Sequence, residues 1–493
     1  MTSPSTRPWL GSLSNLDLAL IALAFALAAT GFLLGEKIQV GDGLGWDGSL
    51  YGEWAKDFYS SVIVGRVDDY YIHRTLPSAV VHYSLRLISA DLTNENVIRG
   101  FGLLNVICIT ASAIFWSLIA NELNIHSRGK ILGFVSLFIN YSLLKFPSYY
   151  PVLTDVPSFA IGMAMLYSYL TTKRVSLIAL IVAGSLVWPT LAYEGAILLL
   201  FPRGPDDVPV LAAPRKLNGV VAFSVAFTAA AYMIWLISFN SPGFGFGEST
   251  ILLRPLGIVL CFLYLFFGLR VLLDYERLFN IAALLRRAMS PAFYVSLLFV
   301  VALNRLAYSL SSKNSEVVTL GSFITDMAFA GSSMPLVLVA HVVFFGPVII
   351  IALFCFKPVC RLLQEYGIGL VLAVTVGFIL SLNSESRRIG NFLPLIIPFL
   401  VKVVESLNWR LWHYWVFGSI SIIFSKIWLK IGGAPDSQDM MSYTSQLYYM
   451  NFGPFMSVEM YAIQGIAVVI VAGLLCRFCW SPPRNLTFRS SAG

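Results

Sequence analysis

Four acidic residues, Asp42, Asp47, Glu53 and Asp57, lie in or just before the segment GWDGSLYGEWAKDFY (residues 45–59). This polar break directly follows the first apolar run, in a chain with only 12% charged residues and a mean hydropathy of +0.77. Ionisable groups close to a bilayer are costly and call for a partner or a function. Asp47 lies between Trp46 and Gly48, with Tyr51 and Ala55 one and two helical turns further on. The neighbouring glycine allows a close backbone turn, and the start of the following helix offers its positive end to the carboxylate. Asp47 can therefore serve as a general base towards a hydroxyl group. It can equally cap the helix, as aspartate commonly does.

Further candidates follow. The run Arg66-Val67-Asp68-Asp69-Tyr70-Tyr71-Ile72-His73-Arg74 pairs two aspartates that can bind a divalent cation or position a sugar, or can be solvated charges facing Arg66 and Arg74. Arg74, just before Leu76-Pro77, is placed to reach beneath the loop towards a phosphate. Asp155 opens an apolar run after Tyr149-Tyr150-Pro151; helix capping competes with a functional role there. Glu194 is an ionisable group at membrane depth, where such groups face a cavity or a partner. Arg387 and Arg388, in SLNSESRRIGNFLPLIIP, suit bidentate binding of a phosphate. Pairing with Glu385 and snorkelling are the alternatives for Arg388. Arg254 and Arg305 fall near the ends of apolar runs, and His82 and His341 read as packing residues.

These residues must be positioned by membrane helices. Of the 493 residues, 57% are hydrophobic, and apolar runs of about twenty residues recur. Such runs predict an all-α, polytopic transmembrane bundle of about 12 spans, near 17–35, 97–120, 129–146, 156–172, 217–238, 250–270, 290–310, 334–356, 366–382, 391–406, 411–428 and 459–478. Residues 175–201 are longer than one span, and Trp188-Pro189 interrupts them, so a hairpin of two short helices is expected there. The first run is too long for a cleaved signal peptide and reads as a span.

Basic residues set the orientation. With the N-terminus inside, the inner loops hold Arg128 and Lys130; Lys173 and Arg174; Arg203, Arg215 and Lys216; Arg270, Arg277, Arg286 and Arg287; Lys357 and Arg361; and Arg477, Arg484 and Arg489. The alternation holds only if residues 175–201 return to the side they left, and it places both termini in the cytoplasm. Segments 36–96, 147–155, 239–249, 311–333, 383–390 and 429–458 then face outwards. The first contains amphipathic stretches, about 49–62 and 75–90, suited to the membrane surface. Arg387 and Arg388 break the charge rule on that side, and anion recognition would explain them. The net charge of +7 is dispersed over loops and gives no nucleic-acid signal. The six cysteines lie in or beside apolar runs and suggest no disulfide framework or metal site. Asn485-Leu486-Thr487 falls on the cytoplasmic side as a meaningless glycosylation match.

Outer carboxylates with outer arginines suggest a reaction on a phosphate-bearing lipid: a carboxylate activates a hydroxyl, and an arginine steadies the departing phosphate. At this point the chain resembles the membrane-embedded glycosyltransferases of the GT-C superfamily over most of residues 15–405. GWDGSLYGEWA resembles their acidic first outer loop, PVLTDVPSFAIGMAMLYSYL the segment with a second acid, and SRRIGNFLPLIIPFL their late arginine-and-proline region. The resemblance implies Asp47 as the catalytic base and Asp155 as a second acidic residue of the catalytic site, with Arg387 and Arg388 on the phosphate of the donor. Tyr51, Asp68, Asp69, Arg74 and Glu194 complete the candidate substrate-binding set. It also implies a GT-C-type bundle, inverting transfer from a polyprenyl-phosphate or polyprenyl-pyrophosphate sugar to a glycolipid, polysaccharide or protein, and an integral protein of a bacterial inner membrane. Some relatives need a divalent metal and others do not, so a cation stays open. The adjacent acidic pair of such proteins is absent at Asp47.

The expected organisation is a catalytic module over residues 1–430, with outer loop 36–96, followed by 431–493 as an outer loop, a last span and a cytoplasmic tail. A glycolipid flippase would use the same arginines, but the chain lacks the inverted repeats that favour transport. A polysaccharide polymerase or ligase would place its main loop late, where residues 429–458 carry Asp436 and Asp439 without arginine.

Overall fold

The computed structural model describes residues 13–203, 216–239, 253–274, 288–312, 320–407, 409–431 and 458–479, and among these the secondary structure is helical, without a β-strand. Asp436, Asp439, Asn485, Arg215, Arg277, Arg286, Arg287, Arg484 and Arg489 lie outside the described residues, as does most of segment 431–493.

Helix α1 (Asn15–Leu34) opens on a reciprocal cap, in which Ser14 and Asp17 exchange hydrogen bonds. Asp17 is fully buried and also pairs with Lys130 at 2.8 Å, which ties α1 to a later helix at one end of the bundle. The chain then forms α2 (Trp46–Lys56) and α3 (Leu76–Leu87), the two short helices expected in the first polar segment. Both pack onto the bundle, and exposed apolar side chains line the outside of this layer at Tyr59, Ile63, Val64, Tyr83 and Leu87. The long α4 (Asn94–Glu122) follows, then α5 (Ser127–Phe138) and the short α6 (Phe146–Tyr149). Trp116 of α4 lies against Gly133 of α5, where an added Cβ would come within 2.0 Å of the indole.

Next come α7 (Asp155–Leu170), α8 (Arg174–Ser185) and α9 (Pro189–Leu200). The two twelve-residue helices α8 and α9 meet at Trp188-Pro189, as the proline predicts, because proline is tolerated in a first helical turn and not in a helix interior. Then follow α10 (Lys216–Phe239), α11 (Arg254–Leu272), α12 (Pro291–Ser309), α13 (Leu320–Gly331), α14 (Met334–Phe345), α15 (Val348–Phe354), α16 (Phe356–Glu365), α17 (Ile368–Leu380), α18 (Leu393–Glu405), α19 (Leu411–Ser425) and α20 (Val458–Cys479).

Among the described residues six helices are long and apolar enough to cross a membrane, and eight spans result if each of two bent pairs counts as one. The bends are 66° between Ser127–Phe138 and Tyr141–Tyr149, and 93° between Gly321–Gly331 and Met334–Phe345. Four of the twelve expected spans are instead shorter helices: α7 has 16 residues, α17 and α18 have 13 each, and α19 has 15. At about 1.5 Å per residue these fall short of a hydrocarbon core of about 30 Å. The α7, α17 and α18 helices are largely buried among other helices, so their apolar composition serves protein packing more than lipid contact. The chain is thus an integral membrane protein by its apolar helices.

The Asp17–Lys130 pair provides a test of this packing. Removing one partner of a buried pair leaves a charge without compensation, at a cost of about 3–5 kcal/mol. Lys130→Met should therefore lower the thermal unfolding midpoint in detergent clearly, while the double change Asp17→Leu/Lys130→Met recovers most of it.

Candidate functional site

The residues that converge do so at the end of the bundle where α1 and α17 finish and α7 begins. Backbone turns prepare the first of them. Gly41, Asp42, Gly43 and Gly45 all adopt positive φ, and this tight turn delivers the chain into α2. Gly45 packs against the ring of Tyr150, where an added Cβ would fall 2.2 Å from the ring edge. The Tyr150 hydroxyl accepts a hydrogen bond from the Gly48 amide at 3.1 Å. Asp47 is in the first turn of α2, but Gly45 is the cap residue and no side-chain cap bond forms. The carboxylate turns instead to the far end of the sequence: Arg387 Nη2 donates to Asp47 Oδ2 at 2.8 Å, across 340 residues. Asp47 Oδ1 has no hydrogen-bond partner among the described residues, and the side chain is 28% exposed.

Arg74 ends a short 3-10 turn (Ile72–Arg74) and is buried. Its Nη1 donates to the Tyr51 hydroxyl at 2.9 Å and its Nη2 to the Tyr70 hydroxyl at 2.6 Å. The rings of Tyr70 and Trp188 lie 4.5 and 4.6 Å from the guanidinium, and Asp47 Oδ2 is 3.8 Å from Nη1. Arg74 is thus buried among protein groups beside Asp47, and its Nε has no hydrogen-bond partner among the described residues. Trp188, at the tip of the α8–α9 hairpin, supplies one wall. The same tip accepts a backbone bond from Leu76 at Leu186, 2.9 Å, and bonds His73 at the Ser185 carbonyl, 2.6 Å.

The second guanidinium group comes from segment 383–392. Glu385 pairs with Arg387 Nε at 2.5 Å and also with Arg388 Nε. Burial alone would raise the Glu385 carboxyl, but Arg387 and Arg388 outweigh it and hold the group at about 2. Arg387 thereby donates to Glu385 through Nε and to Asp47 through Nη2. The Arg388 side chain is 29% exposed, so its contact with Glu385 coexists with an accessible outer edge.

Asp155 heads α7 within the field of Arg387, Arg74, Glu385 and Asp47. Both of its carboxylate oxygens are buried and have no hydrogen-bond partner, an arrangement that costs free energy unless another group answers it. Three carboxylates, Asp47, Asp155 and Glu385, thus meet three guanidinium groups, Arg74, Arg387 and Arg388. No group of three or more His, Cys, Asp or Glu placed to hold a metal ion occurs among the described residues. The arginines around Asp47 and Asp155 would oppose a cation there electrostatically, so these two carboxylates do not fit a resident divalent ion.

Other candidates have local partners. Asp69 accepts from Ser311 Oγ, and Asp68 Oδ1 accepts from the Tyr70 amide at 2.9 Å. With the backbone bond from Ser312 to Val67, 2.8 Å, these contacts pin the first polar segment to the end of α12 and bring Tyr70 to Arg74. Glu194 is fully buried; its Oε2 accepts from Asn391 Nδ2 at 2.7 Å, and Asn391 Oδ1 accepts from Thr190 Oγ1 at 3.0 Å. This knot joins the hairpin to the arginine segment behind the charge cluster. Of the other acids in the opening segment, Glu53 pairs with Lys56 and Asp57 accepts from the Ser60 amide, so Asp47 alone of these meets an arginine. Sequence reading singled out neither Tyr70 as a cation partner nor Trp188 as a wall, although both belong to motifs it noted. Asp326 on α13, within electrostatic reach of Arg388 and Glu385, carried no local signal at all.

Comparison with models of known families, with characterised proteins and with solved structures gives no match.

Two outcomes follow from the geometry. Gly45→Ala adds a methyl group at a positive φ and against Tyr150, and overpacking of this kind costs about 1–3 kcal/mol; the unfolding midpoint should fall accordingly. For Glu385, the folded-state value of about 2 lies below the ordinary 4.5. Its stabilising contribution is therefore complete above about 4.5 and is lost as pH falls towards 2. In an acid titration of folded protein, Glu385→Gln should show a shallower loss of stability over that window than the parent chain.

Proposed function

We propose that the protein is a membrane glycosyltransferase of GT-C type that moves a sugar from a polyprenyl-phosphate-linked donor to a glycolipid, polysaccharide or protein acceptor at the extracytoplasmic face. The observation that carries this reading is the state of Asp47. One oxygen is fixed by Arg387, the other makes no hydrogen bond among the described residues, and the side chain as a whole is partly exposed. A carboxylate held in that way is oriented for proton abstraction.

In the proposed reaction the acceptor hydroxyl gives its proton to Asp47 Oδ1. Its oxygen then attacks the anomeric carbon, and the bond from that carbon to the phosphate oxygen breaks, inverting the configuration. The accessible edge of Arg388 receives the charge developing on the leaving phosphate. Arg74, Tyr51 and Tyr70 hold Asp47 and its surroundings in place. Asp155, with two unanswered oxygens, is suited to a hydroxyl or proton brought by substrate. Arg128, Lys130, Lys173 and Arg203 belong to the opposite end of the bundle, which supports a cytoplasmic assignment for that end and an outer one for the site.

The runner-up, a flippase, uses the arginines without needing a base. Asp47→Asn distinguishes the two, because asparagine keeps an acceptor for Arg387 but cannot take the proton. Transfer in membranes supplied with lipid-linked donor should drop by about 10²- to 10⁴-fold, with lipid binding retained. Arg388→Ala should lower kcat/KM for the donor, chiefly through kcat. Near-normal transfer by Asp47→Asn would remove it as the base. Mass spectrometry of the glycolipids and polysaccharides lost on deletion would identify sugar and acceptor.

A further inference from the structure

His341 is buried in α14, away from the charge cluster, yet both of its ring nitrogens are bonded to the segment that carries the arginines. Nε2 is 2.7 Å from the Ser381 carbonyl, and Nδ1 is 2.9 Å from Ser386 Oγ. A carbonyl can only accept, so Nε2 carries the proton. In the neutral ring Nδ1 is then the acceptor, and the Ser386 hydroxyl donates to it. One rigid imidazole therefore spans the loop from its first residue after α17 to the residue immediately before Arg387. Between those two anchors lies Glu385, whose backbone amide is held by Asn383 Oδ1 at 2.8 Å and whose carboxylate grips both arginines.

We propose that His341 is a positioning residue: it sets the path of residues 381–386 and thereby the placement of Arg387 against Asp47. Its part in catalysis rests on the glycosyl-transfer reading above; its part in placing Arg387 does not. The opposite side of the segment is already fixed by the Asn391–Glu194 bond, 2.7 Å. The imidazole supplies the anchor on the other side of Arg387. A loop tied at only one end can shift by an ångström, and a displacement of roughly 1 Å at a reacting geometry costs on the order of 100-fold in rate.

The test uses the full-length protein in detergent and an arginine reagent, phenylglyoxal, with peptide mass spectrometry to follow each site. In the parent chain Arg387 is shielded by its two carboxylates and should react slowly, while Arg388 reacts and serves as the internal reference. His341→Leu should raise the Arg387 rate several-fold relative to Arg388. His341→Gln, which keeps a donor and an acceptor in nearly the same places, should restore most of the protection. If the leucine variant does not fold, Ser386→Ala removes a single bond to the ring and should move the Arg387 rate in the same direction by less. An unchanged Arg387 rate in folded His341→Leu, or in Ser386→Ala where leucine cannot be examined, overturns the proposal. In the transfer assay His341→Leu should lower kcat with little change in donor KM, and the glutamine variant should recover kcat. A change in Arg387 protection together with no transfer by the parent chain would uphold the placement of Arg387 and sink the transferase reading.

Discussion

A guanidinium removed from water is stable only where other charges and hydrogen bonds replace its hydration, and the desolvation cost amounts to several kcal/mol per ion. Arg387 meets that condition by drawing on both ends of the chain at once. Glu385, two residues away, accepts from Nε, and Asp47, 340 residues away, accepts from Nη2. Asp47 reaches it only because the first polar segment and the segment after α17 arrive at the same end of the bundle, where the α8–α9 hairpin also ends. The surrounding architecture can be read as the means of meeting this one electrostatic demand. The glycine turn presents Asp47, Arg74 steadies it, and Trp188 closes over Arg74.

The aromatic residues near this cluster have a double use. Tyr51 and Tyr70 offer hydroxyl groups to Arg74, while the rings of Tyr70 and Trp188 lie close to the same guanidinium. An arginine can be held in this way without a dedicated carboxylate, because ring faces attract cations and cost little conformational entropy. The arrangement leaves Asp47 with one oxygen in common between two arginines and one oxygen clear of both.

Much of this was legible in the residues themselves. The membrane class followed from long apolar runs, and the hairpin followed from proline at position 189. The grouping of Asp47, Asp155, Arg387 and Arg388 at one end followed from the alternation of basic loops. What escaped detection depended on contacts distant in sequence. Nothing near Arg74 indicates that a tryptophan from position 188 will lie on it, and nothing near His341 indicates a loop forty residues later. For a related reason, twelve spans were expected where six helices, or eight spans with the bent pairs, are long and apolar enough among the described residues. Hydropathy records that α7, α17 and α18 are apolar, but not whether their neighbours are lipid tails or other helices.

The modest length of the hairpin has a consequence for which molecules can reach the cluster. A twelve-residue helix rises about 18 Å, whereas the hydrocarbon layer is about 30 Å thick. A hairpin that enters the layer at Arg174 would hold its Trp188 tip, and the Arg74 guanidinium packed against it, within the hydrocarbon depth and short of the opposite interface. A compound dissolved in water would have to give up its solvent to descend that far. One already anchored in the leaflet by an apolar tail can arrive by lateral diffusion, keeping its tail in oil while its head group exchanges water for arginine. A hairpin in that position would act as a depth gauge, favouring ligands by the phase they travel in before any side chain tests their shape.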